Sequence, residues 1–308
     1  MDSIGSREPS KDRISIRLLG RFQAHLGDRN LGGLGGRKVQ ELVCYVLLFR
    51  ERPHHREILA ETLWQSSSGV QSRKYLRQAL WQVREFGGEL GSAAPLLRMD
   101  THWVEVSRDA DLWLDIAELE SAYALVRGVS GDNLTGHRVD VLRRAVALYR
   151  GELLEGCYED WCVYERERLK TIYLALLEKL LIDSLRRGQV GEGVSYGQQI
   201  LRHDRAHEST HRRMMWLHYL AGDRSTALRQ FHQCAEVLRQ ELGVEPAAAT
   251  VALHERIRAS ASPPPPTAAP LGELRTTGRR GEEESLERLL ALLAEAESLV
   301  RDRLSGIG

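Results

Sequence analysis

The chain lacks any apolar run long enough to cross a bilayer. Its longest, Leu42 to Phe49, falls far short of the roughly 20 residues a spanning helix needs. Its N-terminal stretch, MDSIGSREPSKDR, has no apolar core, which excludes a secretory signal and predicts a cytoplasmic, nucleoid-associated protein. Cysteine is scarce: Cys44, Cys157, Cys162 and Cys234 include no CxxC pair, and in a reducing cytosol they read as small buried hydrophobes. No Walker motif is present. The glycine-rich stretch Gly32 to Lys38 lacks the phosphate-loop spacing, and Val39 stands where a magnesium-binding hydroxyl belongs. No Asp-rich phosphoacceptor segment appears either. No cofactor is expected.

Net charge is absent too, with 43 Lys+Arg against 43 Asp+Glu, but the balance is uneven along the chain. From Arg13 to Ser107 there are 14 basic residues against 9 acidic ones; from Arg108 to Ala259 there are 21 against 23. A phosphate backbone attracts the first of these regions whatever its base sequence.

That basic region has a readable order. Ile14, Ile16 and Leu18, then Phe22, Ala24 and Leu26, alternate as strands do, and Gly27-Asp28 closes them with a turn. Val39, Leu42, Val43, Val46 and Leu47 make one helical stripe, and Ile58, Leu59, Leu63 and Trp64 a second beyond Pro53. A third helix buries Leu76, Ala79, Leu80 and Val83 and is closed by Gly87-Gly88. Its other faces offer Arg73, Lys74, Arg77, Gln78, Trp81 and Arg84. Then Leu96 to Met99 and Trp103 to Val106 flank the turn Asp100-Thr101-His102, a hairpin. Strands, three helices and a hairpin describe a winged helix-turn-helix, and the leading strands point to the response-regulator (OmpR-type) variety. The expected contacts to DNA are Arg73, Lys74, Arg77, Gln78, Trp81 and Arg84 in the groove. Arg98, Thr101 and His102 of the hairpin are expected over the adjacent minor groove or the backbone, and Arg37 and Lys38 at the first helix's N-terminus on phosphate. A guanidinium can pair with guanine O6 and N7 together, and Gln78 suits adenine. Trp81 either stacks near a thymine methyl or covers the first helix.

From Leu112 onward the reading is helical only. Gly188 and Gly222 each follow a helix and lie 34 residues apart. That offset aligns Leu180 with Met214, Leu181 with Met215, Gly193 with Ala227 and Gly197 with Phe231. It is the spacing of tetratricopeptide repeats, and an earlier degenerate pair is expected over Asp140 to Leu185. The fold expected is thus mainly α with a small β component: a winged-helix domain over 13–107 and an all-α, tetratricopeptide-like domain over 111–259. Residues 260–308 read as a Pro-rich linker and a further helix over Glu282 to Leu304.

One competing motif needs weighing. His207-Glu-Ser-Thr-His211 matches HExxH, which on a helix can hold Zn²⁺ with Glu208 as base and Glu236 or His232 as third ligand. Arg205, Arg212 and Arg213 oppose a dication there, and Met214 replaces the glycine of the longer zinc-protease pattern. A zinc hydrolase, or a repeat adaptor without DNA affinity, is the alternative to a DNA-binding protein.

Several separated words match a known family: LGGRK before the first helix, the Leu63-Trp64 end of the second, the basic third helix and its hairpin. They continue with Tyr158-Glu-Asp-Trp161, Glu165-Arg-Glu-Arg-Leu169, Ala221-Gly-Asp-Arg-Ser-Thr-Ala-Leu228 and Leu238-Arg-Gln-Glu-Leu-Gly-Val-Glu-Pro246. Together these resemble the Streptomyces antibiotic regulatory protein family, with a bacterial transcriptional activation domain as second half. The resemblance runs from Ile14 to Ile257. It implies a transcriptional activator of a secondary-metabolite gene cluster that binds tandem repeats in double-stranded promoter DNA as a homodimer or side-by-side pair. It also implies contact with RNA polymerase holoenzyme, with the loop Gln65 to Val70 as a candidate surface. Two positions depart from the pattern: His54-His55 is a weak cap for the second helix, and Trp81 is larger than the usual residue there.

Overall fold

The computed structural model describes residues 13–31, 35–89 and 95–259. Residues 32–34 of the glycine-rich turn and the linker and helix expected over 260–308 lie outside the described residues. Two compact units emerge, one formed by 13–120 with 148–169, the other by 121–147 with 170–259.

The first unit opens with β1 (Ile14–Arg17), β2 (Gln23–Leu26) and β3 (Arg29–Asn30). Antiparallel pairing sets Ile14 opposite Leu26 and Ile16 opposite Ala24, so the alternating apolar set faces inward, with Ile14, Ile16, Leu18 and Ala24 buried. α1 (Arg37–Leu48), α2 (Arg56–Leu63) and α3 (Gly69–Glu89) follow, with β4 (His54–His55) before α2. β5 (Leu97–Met99) and β6 (Trp103–Val106) form the expected hairpin, and β4 adds to its other edge in the order β4-β6-β5. α3 runs through the glycine pair to Glu89. Glycine weakens a helix interior by about 1 kcal/mol without terminating it.

β7 (Leu112–Leu114) corrects the reading of this stretch as helical. It pairs in parallel with β1, Ile14 opposite Leu112 and Ile16 opposite Leu114, and completes a sheet of order β3-β2-β1-β7. α4 (Asp115–Val126) starts directly behind it. The Asp115 carboxylate is buried and accepts from the N–H groups of Leu18 (2.9 Å), Leu19 (2.9 Å) and Ile116 (2.8 Å). It thereby satisfies donors where β1 leaves the ladder and where α4 begins. Burial holds its carboxyl above the ordinary carboxylate range, against the lowering effect of those three donors.

The segment 148–169 completes the unit. Leu153 bridges Leu19; the Leu154 N–H donates to Leu18 O (2.9 Å) and the Gly20 N–H to Glu152 O (2.9 Å). Its later part, the start of α6 (Asp160–Arg187), sets Trp161 edge-on to Tyr45 of α1 at 5.4 Å. Arg168 lies between Glu120 and Glu165.

The second unit holds α5 (Gly136–Leu148) up to Ala147, the rest of α6, α7 (Val190–His203), α8 (Glu208–Leu220), α9 (Arg224–Leu242) and α10 (Ala248–Ala259). The 34-residue offset has a physical basis. Gly188 and Gly222 both adopt left-handed backbone after a helix, with φ of +66° and +79°. Gly193 and Gly197 of α7 are the close-approach positions: an added Cβ would lie 2.7 Å from Leu217 Cδ1 and 2.6 Å from Met214 Sδ respectively. Leu180, Leu181, Met214 and Met215 are all buried, as the alignment of the two copies requires.

Candidate nucleic-acid interface

α3 divides cleanly into two faces. Leu76, Ala79, Leu80 and Val83 are buried at helical spacing, while Arg73, Lys74, Arg77, Gln78, Trp81 and Arg84 are exposed. Trp81 is 59% exposed, so it does not cover α1. Arg73 approaches Glu57 at 4.0 Å; among the described residues Lys74, Arg77 and Arg84 have no carboxylate within that distance. A row of unneutralised cations with an amide and an indole between them is what the geometry makes available.

The hairpin turn is tied to the start of α2. His55 is a poor N-cap and its side chain makes no capping bond. The first helical N–H, that of Arg56, instead donates to the His102 carbonyl at 2.8 Å, and the Arg56 guanidinium donates to Asp100 O at 2.9 Å. β-Pairing sets His54 opposite Val104 and His55 opposite Trp103. The His55 and His102 rings stack with centroids 6.1 Å apart. The weak cap is therefore compensated by a backbone bond from the turn itself. Within the turn, Asp100 Oδ1 accepts from the N–H groups of His102 and Trp103, both at 2.7 Å, and these bonds hold its carboxyl below the ordinary range. Thr101 and His102 are exposed at the tip, and Arg98 is exposed on β5. Half-exposed Trp103 is an apolar surface residue the sequence reading did not select; alternation in β6 was its available signal.

Arg37 and Lys38 are placed differently from the α3 cations. Lys38 Nζ sits between Glu41 (2.7 Å) and Glu159 (2.8 Å), and Arg37 pairs with Glu41 (2.9 Å) and donates to Gly156 O (2.8 Å). Their charge is largely met within the first unit. Glu159 lies 121 residues from Lys38, beyond what local spacing can signal.

The HExxH residues do not converge on one point. His207 precedes α8 and its Nδ1 contacts Thr210 Oγ1 at 2.8 Å. Glu208 Oε1 accepts from the Ala247 N–H at 2.8 Å and from the Thr250 hydroxyl. His211 is buried, donates through Nε2 to Arg205 O (2.9 Å) and accepts at Nδ1 from Gln230 (2.6 Å). Both its ring nitrogens are occupied, and burial holds its pKa below the ordinary value, keeping it neutral. Among the described residues no three His, Cys, Asp or Glu side chains are grouped to hold a metal. Nor is any helix among them long and apolar enough to cross a membrane.

Comparison with known proteins agrees with this architecture. Residues 114–258 match the model of the bacterial transcriptional activator domain. The chain is 30% identical over 255 residues to the regulatory protein AfsR of Streptomyces coelicolor, an alignment covering 82% of this chain. It spans about a quarter of the length of that relative, 25%. Among solved structures, EmbR of Mycobacterium tuberculosis, determined in complex with a low-affinity phosphopeptide, shares the fold. The TM-score is 0.63 at 16% identity, over 94% of this chain and 72% of EmbR. With these matches, residues 114–258 are a bacterial transcriptional activator domain, and the chain as a whole, a winged helix followed by helical repeats, is similar to a Streptomyces regulatory protein.

Proposed function

We propose that the protein is a sequence-specific DNA-binding transcriptional activator. In this reading residues 13–107 read promoter DNA and residues 111–259 serve as the activation module. The observation that carries it is the exposed face of α3, where Lys74, Arg77 and Arg84 are free of carboxylate partners among the described residues, beside a hairpin whose turn is fixed to α2. An α-helix fits the major groove, and the hairpin then falls to the adjacent backbone or minor groove. Arg73, Lys74, Arg77, Gln78, Trp81 and Arg84 are assigned to the groove, Arg98, Thr101 and His102 to the hairpin's contacts. Arg37 and Lys38 rank behind these, since Glu41 and Glu159 already neutralise them. The resemblance to the Streptomyces antibiotic regulatory proteins supports the finer parts of the reading: copies side by side on tandem sites, recruitment of RNA polymerase, and control of a metabolite gene cluster. The protein acts by binding, with no chemical step.

Footprinting of the full chain on DNA upstream of its neighbouring genes tests the assignment. Arg77→Ala combined with Arg84→Ala is expected to erase the footprint, each bidentate contact being worth about 1–3 kcal/mol of discrimination. An intact footprint from the double variant would show that α3 is not the reading helix.

A further inference from the structure

Three of the four cysteines, Cys44 of α1, Cys157 and Cys162, are buried in the first unit, and two of them stand at a junction. Cys157 ends the irregular stretch that bridges β1, just after Gly156 in left-handed backbone (φ +88°), and Cys162 lies in the first turn of α6. The chain between them folds back: the Cys157 N–H donates to Leu154 O (2.9 Å) and the Cys162 N–H to Glu159 O (2.9 Å). One guanidinium nitrogen of Arg166 donates to Cys157 O (2.7 Å) and also lies 3.8 Å from Cys162 Sγ, which brings both residues to the same cation. Cys157 is 5% exposed, and the chain reaches the surface directly after it, at Tyr158, which is 80% exposed.

We propose that Cys157 and Cys162 are a redox-active thiol pair, converted by a peroxide into a disulfide that alters the DNA-reading unit; the second half of this statement rests on the proposed function. The Cys157 thiolate attacks a peroxide oxygen, the O–O bond breaks, and hydroxide leaves and becomes water on protonation. The resulting sulfenic acid is attacked by the Cys162 sulfur, an S–S bond forms, and the S–O bond breaks with loss of a second water. Two thiols are oxidised to one disulfide as one hydrogen peroxide is reduced to two waters. The chemistry suits the environment. The hydrogen bond shared by the two thiols lowers the Cys157 pKa to about 7 and raises that of Cys162. This makes Cys157 the nucleophile toward peroxide and leaves Cys162 as the thiol that resolves the sulfenic acid. Burial raises Cys44 and pushes Cys234 up to about 12. The consequence for DNA follows from what the segment holds. Gly156, which accepts from Arg37, and Glu159, which accepts from Lys38, flank or separate the two cysteines, and both cations begin α1, which packs on α3. Closing the S–S bond shifts those anchors.

The test uses the reduced full chain. Hydrogen peroxide is expected to yield, on digestion without reductant, a peptide joining Cys157 to Cys162 and lacking two hydrogens. Cys162→Ala is expected to carry a dimedone-trappable sulfenic acid at Cys157, and Cys157→Ala none. Because either substitution is buried, competitive alkylation of the unsubstituted protein near neutral pH serves beside them, Cys157 being expected to react at least about tenfold faster than Cys234. A cross-link from Cys44, or Cys157 alkylating no faster than Cys234 with no 157–162 disulfide, overturns the pair. The oxidised protein is expected to bind the upstream DNA about tenfold more weakly than the reduced form. Equal affinity of the two forms overturns the regulatory consequence. Absence of DNA binding by the reduced form refutes the proposed function and leaves the thiol result standing.

Discussion

Single residues decide more of this structure than their local sequence announces. Asp115 reads as an ordinary first-turn acid of a helix; only the parallel pairing of β7 with β1 brings it to the Leu18 and Leu19 N–H groups, 97 and 96 residues away. Asp115→Ala strands those buried donors and is expected to lower stability by about 3 kcal/mol. Urea denaturation followed by tryptophan fluorescence measures it, and an unshifted midpoint would mean that water replaces the carboxylate. His211 was misleading in the opposite sense, since the HExxH spacing suggests a ligand where the fold has a core imidazole held by Arg205 and Gln230. Its folded pKa is depressed, so the unfolded chain takes up the proton first. Its contribution to stability is therefore full above about pH 6.5 and is lost as pH falls below that value. Half-buried His218, also depressed by its partial burial, acts in the same direction. Denaturation midpoints should drop between neutral and mildly acidic pH, and His211→Gln should flatten that drop. A drop of unchanged size in the variant would assign the effect elsewhere.

At the scale of elements, periodicity carried the reading wherever the information lay within one helix or hairpin. The buried and exposed sets of α3, the stripe of α1 and the register of β5 with β6 follow from spacing alone. β4 and β7 were not legible. Each is two or three residues long, and each owes its existence to a partner strand distant in sequence. For the candidate interface the exposure of the α3 cations was readable, and so was Glu41 one turn beyond Arg37 and Lys38, but the contacts of those cations with Glu159 and Gly156 were not, because they come from the other end of the unit. In the second unit a short 3-10 turn, Gly131–Asn133, meets the middle of α6 so closely that an added Cβ on Gly131 would lie 2.8 Å from both Lys179 O and Ile182 Cβ. One of those neighbours is backbone and cannot rotate away. Gly131→Ala is therefore expected to cost about 1–3 kcal/mol of stability, read by thermal denaturation, although alanine is the better helix former. A neutral result would require α6 to shift without penalty.

For the molecule as a whole, zero net charge conceals the asymmetry that matters for a polyanion, and the salt dependence of DNA binding reads it directly. Lys74→Ala is expected to weaken binding to all sequences alike and to reduce the slope of log K against log salt by about 1, whereas the arginine changes also relax sequence preference. An unchanged slope would place Lys74 away from the phosphates. The units also divide the chain in an interleaved way, 148–169 belonging with 13–120. A fragment ending at Ser107 has the three helices and the hairpin but neither β7, nor Asp115, nor the Leu153 bridge. It is expected to lose the cooperative unfolding transition that the full chain shows by circular dichroism. A sharp transition in the fragment would show that those contacts are dispensable.

The interleaving also bears on synthesis. A nascent chain displays β1 early, yet its parallel neighbour follows only after about a hundred residues, some 5–20 seconds of translation later. The bridge at Leu153 comes later still. Throughout that interval one edge of β1 stays open to other strands. A slowly translated message thus lengthens the exposure of the N-terminal sheet, and the protein's yield is expected to fall as the ribosome slows between Ile14 and Leu169.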